Sequence, residues 1–403
     1  MKALSLLIAL SLLCSTAFAE DENNQSLDAY ISKNKKEQFK YDYEKIDAQS
    51  SKLRDSWIAP IYLQYTNSKS NPYSGEQTVE NAALTISQPI FQSGGIYYGI
   101  KYADASRIYS NYSVEVAQRK LVKDAISLLM QIKQIDLKIK KQNFQIKNAD
   151  ISLEQKKEQY LNGQLDSSFL DDAIISRNIA IQALYDIDTT KEKLISQFNV
   201  ISDMSYEEAN IPHLELINEE EFLKYNIVLN MSASEIEKNR YNKDVTIAKY
   251  LPQVSLTGGY TWNKYDNYGS SSLTSETDYY NYGVKATIPL DINTFRDVES
   301  SRVDYLKSKL VIQDTKKELY ALFEQVMQNI KNFEKKILLS KENKKLYEKL
   351  LSDTKSLFNA GYKTSYDVEL LKNSVAIQTL DLSIFEIDKQ LELLSLYEMY
   401  KNN

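Results

Sequence analysis

The residue types that carry most protein chemistry are scarce in this chain. His213 is the only histidine among 403 residues, and the single cysteine is Cys14. A Ser-His-Asp relay or a histidine-rich metal site therefore has little to build on. His213, beside Pro212, reads as a linker residue. Glu219, Glu220 and Glu221 form an acidic run that could hold a cation, but a solvated helix start accounts for it. Gly94-Gly95-Ile-Tyr-Tyr-Gly99 is glycine-dense, yet lacks phosphate-loop spacing and the Lys-Ser/Thr that would follow. Trp57, Trp262, Tyr62, Tyr260, Tyr265, Tyr268 and Tyr282 could stack on a sugar, but an aromatic girdle at a membrane interface explains them more simply. No catalytic residue, cofactor-binding residue or metal ligand is assigned, and a secreted enzyme is disfavoured. The distinctively placed carboxylates stand beside two glycines: Asp367 after Gly361, and Asp166, Asp171 and Asp172 after Gly163.

Those glycines expose the elements that position them. The first phrase is Tyr160-Leu-Asn-Gly163-Gln-Leu-Asp-Ser167-Ser-Phe-Leu170, and the second is Phe358-Asn-Ala-Gly361-Tyr-Lys-Thr-Ser365-Tyr-Asp-Val368. Each has an aromatic three before the glycine, a serine four after and an aliphatic seven after. No proline occurs from 90 to 211 or after 289. Two breaker-free tracts, each interrupted once in the same way, imply a duplicated unit of paired long helices. Leu121, Ala125, Leu128, Ile132, Ile135 and Ile139 step by four and three, as do Leu319, Leu322, Val326, Ile330, Phe333 and Ile337. That is the seam spacing of coiled-coil packing. Residues 96–158 as one helix would extend ~95 Å.

Bulk composition agrees. Hydrophobic content of 43% with 26% charge excludes wholesale disorder. Glycine plus proline total only 16, so loops are few. The first 19 residues resemble a secretory leader: Lys2, an apolar Ala3 to Leu13, and Ala17-Phe-Ala19 before Glu20. Processing at Cys14 with lipid attachment is the alternative, against which the bulky Leu13 counts. Beyond the leader there is no cysteine, hence no disulfide framework. The formal charge moves from -6 to -7 when Lys2 is removed, with no basic block, which argues against nucleic acid. No apolar run past the leader approaches the ~20 residues of a spanning helix. Any membrane passage must use strands.

Alternation replaces helical spacing in four places. Ile61, Leu63 and Tyr65 form one face; Ala82, Leu84 and Ile86 a second; Val254, Leu256, Tyr260 and Trp262 a third; Tyr280, Tyr282, Val284, Ala286 and Ile288 a fourth. The intervening residues are mostly polar. At ~10 residues per strand this matches a membrane barrel with a wet interior. Pro60 and Pro252 mark helix-to-strand junctions, and Pro89 and Pro289 strand-to-helix junctions. The loops span Asn67 to Gln77 and Asn263 to Asp278. The organisation expected is a leader over 1–19, then a first repeat over 20–210. That repeat has a helix, then hairpin strands at about 57–67 and 79–89, then long helices at about 94–205 broken at Gly163. The second repeat, 211–403, has a helix at about 215–250, hairpin strands at about 252–263 and 278–289, and long helices at about 295–400 broken at Gly361. Four strands cannot close a barrel, so copies must combine to at least eight.

The phrase Ala248-Lys-Tyr-Leu251-Pro252-Gln253-Val-Ser-Leu256-Thr-Gly-Gly-Tyr260 resembles the helix-to-strand segment of the outer membrane efflux protein family, the TolC-like outer membrane factors. Ser87-Gln88-Pro89-Ile-Phe91-Gln-Ser-Gly94-Gly95 resembles its strand-to-helix segment, and the two glycine phrases resemble its helical tips. The resemblance spans about Ile46 to Leu394. It implies a mainly α fold with a small membrane β-barrel: a homotrimer with twelve shared strands above a long antiparallel helical tunnel. It further implies an outer-membrane location reaching into the periplasm, and passive export in a tripartite efflux or type I secretion system. The partners would be a periplasmic adaptor protein and an inner-membrane transporter. Family members place aspartates just after the glycine motif, at the pore constriction. Asp367 matches that position, whereas the first repeat has Phe169 there, with Asp171 and Asp172 nearby. Asp367, Asp171 and Asp172 are the gate candidates, and Gly163, Gly361, Ser167 and Ser365 the adaptor-contact candidates. A structural or adhesive surface coiled coil with a small membrane anchor is the competing expectation. No cofactor is implied.

Overall fold

A computed structural model describes residues 27–71, 76–268 and 273–401. The expected leader, Cys14 included, lies outside the described residues. A short 3-10 turn, Leu27–Tyr30, leads into α1, Lys33–Arg54. Strands β1, Tyr62–Ser70, and β2, Glu76–Phe91, form the first hairpin. Helices α2, Gly95–Leu161, and α3, Ser167–Ile201, follow. The second half brings α4, Glu219–Lys224, and α5, Ile227–Lys249, then β3, Gln253–Tyr268, and β4, Leu273–Thr287. It ends with α6, Thr294–Asn359, and α7, Ser365–Tyr397. Helices α2 and α6 have 67 and 66 residues, and α3 and α7 have 35 and 33, so the two halves match element by element.

Helix α2 is ~100 Å long and packs against α1, α3, α5 and α7; α6 packs against α5 and α7. The result is an elongated layer of antiparallel helices, with α3 on one border and α6 on the other. The apolar stripe supplies its core: Ala125, Ile132 and Ile135 of α2 are buried, as are Leu319, Val326, Ile330 and Ile337 of α6. The main cluster sits midway along the layer. There Val122, Ile126 and Met130 meet Phe222, Phe323 and Leu394.

The four strands make one antiparallel sheet in the order β1-β2-β3-β4. Strands β2 and β3 join the two halves, and β1 and β4 are free edges. Register places Leu63 opposite Leu84, Leu84 opposite Tyr260 and Tyr260 opposite Tyr280. Cross-strand partners share a face, so the four alternating patterns merge into one apolar surface. Leu63 is 80% exposed and Tyr282 85% exposed.

Several expected boundaries differ. Strand β1 begins at Tyr62 rather than 57, because α1 ends at Arg54 and residues 55–57 form a turn. Strands β2 and β3 have 16 residues and β4 has 15, not ten, and the polar loops are correspondingly shorter. Alternation fades beyond the apolar band, but polar side chains keep the ladder together there. Asn81 donates to Asn263 at 2.6 Å, Lys264 pairs with Glu80 at 3.2 Å and Asp266 at 3.1 Å, and Lys69 reaches Glu76 at 3.6 Å. Pro89 stands inside β2 rather than at its end, tolerated at a register shift between Pro89 and Phe91. Pro60 and Pro252 precede their strands and Pro289 follows β4.

The expected helix over 215–250 is broken at Tyr225 and Asn226. The Asn226 Oδ1 accepts from the amides of Val228 at 3.0 Å and Leu229 at 3.2 Å, an N-cap for α5. The chain's end completes the break: the Ile227 amide donates to Met399 O and the Lys401 amide to Tyr225 O, both at 2.9 Å. A contact between residues so distant in sequence leaves no local signature.

Candidate tip gate and barrel surface

Both glycine phrases form the same turn. Gly163 has φ 72° and Gly361 φ 81°, in the left-handed region. The Gly163 amide donates to Tyr160 O and Gln164 to Gln159 O; Gly361 donates to Phe358 O and Tyr362 to Leu357 O. This paired 5→2 and 6→1 pattern is the Schellman motif, which ends α2 and α6 and needs glycine for its backbone angle. No atom lies within 4 Å of a Cβ added at either glycine, so backbone conformation is the whole requirement. Ser167 and Ser365 open the following helices and are exposed. Leu161, Phe169 and Tyr362 are exposed around them, leaving an apolar surface at the tip.

The two tips differ in how the next helix starts. Thr364 caps α7: its hydroxyl accepts from the Asp367 amide at 3.2 Å. The Asp367 Oδ2 in return accepts from the Thr364 amide at 3.0 Å and its hydroxyl at 2.9 Å. Lys363 lies 3.8 Å from Oδ1. These donors, the Thr364 backbone first, hold the Asp367 carboxyl below the usual carboxylate range. Asp367 is therefore ionised and committed to a capping box. The α3 start lacks this device, since Asp166 makes no side-chain cap bond. Asp171 and Asp172 on α3 are exposed. They are not assembled with Asp367: α3 and α7 each pack on α2, without extensive contact between them.

The structure adds residues that spacing did not reveal. The Tyr366 hydroxyl donates to Glu158 at 3.1 Å, tying the first turn of α7 to the last turn of α2. Toward the middle of the layer Asn373 donates to Asn148 at 2.8 Å, Lys141 reaches Asp381 at 2.6 Å, and Gln134 donates to Asp388 at 2.5 Å. On α2 the last three rungs are Gln134, Lys141 and Asn148, polar residues at heptad steps beside the apolar stripe. That periodicity was available in the sequence as a signal. At the barrel junction, Gln88 accepts from the Ala59 amide at 3.0 Å and donates to Trp57 O at 3.1 Å, while Ser93 donates to Pro252 O at 2.6 Å. Tyr250 donates to Asp297, joining the end of α5 to α6.

On the sheet, the apolar rows run from Val254 to Trp262, about 27 Å of strand, or about 21 Å of height at a tilt of about 40°. At their far end Tyr260 donates to Asp278 at 2.8 Å and Trp262 to Glu276 at 2.6 Å. Aromatic residues with their polar atoms turned toward acids mark the border of the apolar band. Among the described residues no helix is long and apolar enough to cross a membrane. No group of three His, Cys, Asp or Glu residues among them could hold a metal ion.

Residues 220–399, which run from α4 through α7 with β3 and β4, match the family described as "Outer membrane efflux protein". This stretch is similar to an outer membrane efflux protein domain. The matched stretch covers most of the second repeat, and the first repeat reproduces its element order. No curated protein sequence matches the chain. Its fold is shared with solved structures at low identity. The outer membrane protein VceC of Vibrio cholerae has TM-score 0.69 and 13% identity, over 90% of this chain and 92% of that one. The Campylobacter jejuni CmeC outer membrane channel has TM-score 0.70 and 13% identity, over 94% and 86%. The open state of the Neisseria gonorrhoeae MtrE outer membrane channel has TM-score 0.62 and 11% identity, over 92% and 86%. The mainly α fold with four antiparallel strands is thus that of outer membrane channels.

Proposed function

We propose that three copies of this chain form an exit duct through the outer membrane, extending as a helical tunnel into the periplasm. The carrying observation is the sheet: one continuous apolar face, a polar opposite face, and two unpaired edges. In lipid an open strand edge leaves backbone groups without partners, so β1 of one copy must pair with β4 of the next. Three copies give twelve strands, an even number within the range of such barrels. The helical layer supports the same closure. Leu310, Leu338 and Leu346 are exposed along the α6 border, and Ile175, Ile179 and Tyr185 along α3. Beside the β4 edge, Leu290, Ile292 and Phe295 are exposed, as are Ile58 and Ile61 beside β1. Matching apolar borders at both levels fit a ring better than a surface anchor.

The duct reading carries finer parts. Export is passive, with energy from an inner-membrane transporter reached through a periplasmic adaptor. The adaptor contacts the exposed tips around Gly163, Ser167, Gly361 and Ser365, since turns on rigid helices commonly carry binding. Asp367, Asp171 and Asp172 place negative charge at the narrow end, and the Tyr366–Glu158 bond holds α7 there. Detergent extraction of the outer membrane followed by cross-linking tests the whole. A heat-sensitive trimer is expected, whereas a soluble elongated dimer would end the reading.

A further inference from the structure

We infer that the lumen of the barrel carries a ring of lysines, Lys285 from each copy, that binds multiply charged anions such as phosphorylated or polycarboxylate cargo. This rests on the trimeric duct reading. The face opposite the apolar rows is the lumen. Its residues are Gln64 and Thr66 on β1, Asn81 and Thr85 on β2, Thr261 and Asn263 on β3, and their neighbours. Of the charged side chains in the four strands, only Lys285 stands on that face; the others project on the apolar side, beyond its border. Those others are all held by an ion pair or a hydrogen bond, the carboxylates of Glu276 and Asp278 by Trp262 and Tyr260. Lys285 is exposed and has no such partner among the described residues. No carboxylate shares its face in the described strands.

Its position suits a ring. Lys285 stands opposite Ser255, two residues before β4 ends at Thr287, where the barrel meets the helices. Gly283 is next outward on the same face and adds no side chain of its own there; the small Thr257 lies opposite it. Twelve strands spaced ~4.8 Å and tilted ~40° enclose a circle about 24 Å across. Side chains reaching ~6 Å inward bring the three ammonium groups to about 10 Å from one another, close to the screening length at physiological salt. A monovalent anion gains little there. A tri- or tetravalent one spans two or three of the charges at once, and lysine rings of this kind select anions in other pores.

The test uses thiol chemistry from the outer side, which does not require an open tip. In a chain with Cys14 replaced by Ser, Asn281→Cys places one thiol on the lumen face near Lys285, and Thr277→Cys places one about 27 Å from it along the strand. Labelling rates with an anionic (sulfonatoethyl) and a cationic (trimethylammonioethyl) methanethiosulfonate are compared with and without Lys285→Gln. The anionic-to-cationic rate ratio at Asn281→Cys is expected to fall about twofold on removing the lysine, from three unit charges screened over the ~14 Å that four strand residues span. At Thr277→Cys it should not change. Inorganic tripolyphosphate should slow the anionic reagent at Asn281→Cys only when Lys285 is present. An unchanged ratio, an equal fall at both positions, or no effect of tripolyphosphate overturns the ring. Failure of the duct reading looks different: Asn281→Cys would resist both charged reagents yet react with a lipid-soluble maleimide, and the inference would fall with it.

Discussion

The capping box at the α7 start separates two roles of one carboxylate. Asp367 makes two bonds to Thr364 and receives the pull of the helix dipole, while Thr364 returns one bond to the Asp367 amide. Thr364→Ala removes the cap and keeps the charge. Loss of an N-cap threonine costs about 1 kcal/mol, so the first turn of α7 should open about fivefold more often. Asp367→Asn removes the charge but keeps an acceptor, and should cost less, about 0.5 kcal/mol. Hydrogen exchange of the amides at 366–370 reads both effects. Because the folded-state pKa of Asp367 is depressed, its stabilisation is fully present above the unfolded carboxylate value, about 4. It is lost as pH falls through the lower folded value. Exchange protection corrected for intrinsic rates should be flat from pH 5 to 8 and decline only below about 4. Unchanged protection in Thr364→Ala would refute the capping account. Single-channel conductance of the same pair tests the gate. If the charge matters at the constriction, Asp367→Asn alters divalent-cation block and Thr364→Ala does not. If neither alters it, Asp367 is a helix cap only.

Other perturbations follow from the same contacts. Gly163→Ala or Gly361→Ala should destabilise its turn by about 1 kcal/mol through the left-handed backbone alone, with Asn costing less, as measured by local exchange or proteolysis at the tip. Asp381→Ala strands Lys141, whose partner is only 13% exposed; a loss of about 1–2 kcal/mol in denaturant unfolding is expected. The double change Lys141→Met with Asp381→Leu should recover most of it. Asn226→Ala removes two cap bonds and should cost about 1 kcal/mol, seen as faster cleavage near residue 225 under limited proteolysis.

What the sequence revealed and what it hid have physical causes. Long helices, their apolar stripes and the four alternating strands are local patterns of period 3.6 or 2, and they stand in the structure. The tip glycines were legible because a left-handed backbone demands a particular residue. Alternation understates strand length because Lys264 and Asn263 have loop-like side chains until their partners Glu80 and Asn81 stand opposite them. The α4/α5 break depends on pairing with Met399 and Lys401, and the Tyr366–Glu158 bond joins residues 208 apart. Neither is a local pattern. Family resemblance points to Asp367; that it caps its own helix is visible only in the geometry. Thr364 and Asp367 three apart are nonetheless a close variant of the sequence signature of such a box.

The two ends of α7 are held by different chemistry, and that asymmetry decides how it can move. At its C-terminal end Leu393, Leu394 and Leu396 are at most 2% exposed, each contributing about 1.5–3 kcal/mol of burial. Arg119 donates to Tyr400 O at 2.8 Å, and the Met399 and Lys401 backbone pairs with Ile227 and Tyr225. At the tip the tie to α2 is the Tyr366–Glu158 bond, which stands in solvent and is correspondingly weak. Between them run the polar rungs Asn148–Asn373, Lys141–Asp381 and Gln134–Asp388, each individually weaker than the apolar anchor. Any displacement of α7 from α2 that separates this seam must therefore start at the tip and pivot near the middle of the layer, releasing rungs in order. Hydrogen exchange along α7 should show protection rising from residue 366 toward 394. Glu158→Gln should speed exchange in the first turns and leave the last turns unchanged. Uniform protection along the helix, or equal acceleration at both ends, would show that α7 moves as one rigid rod and that the pivot does not exist.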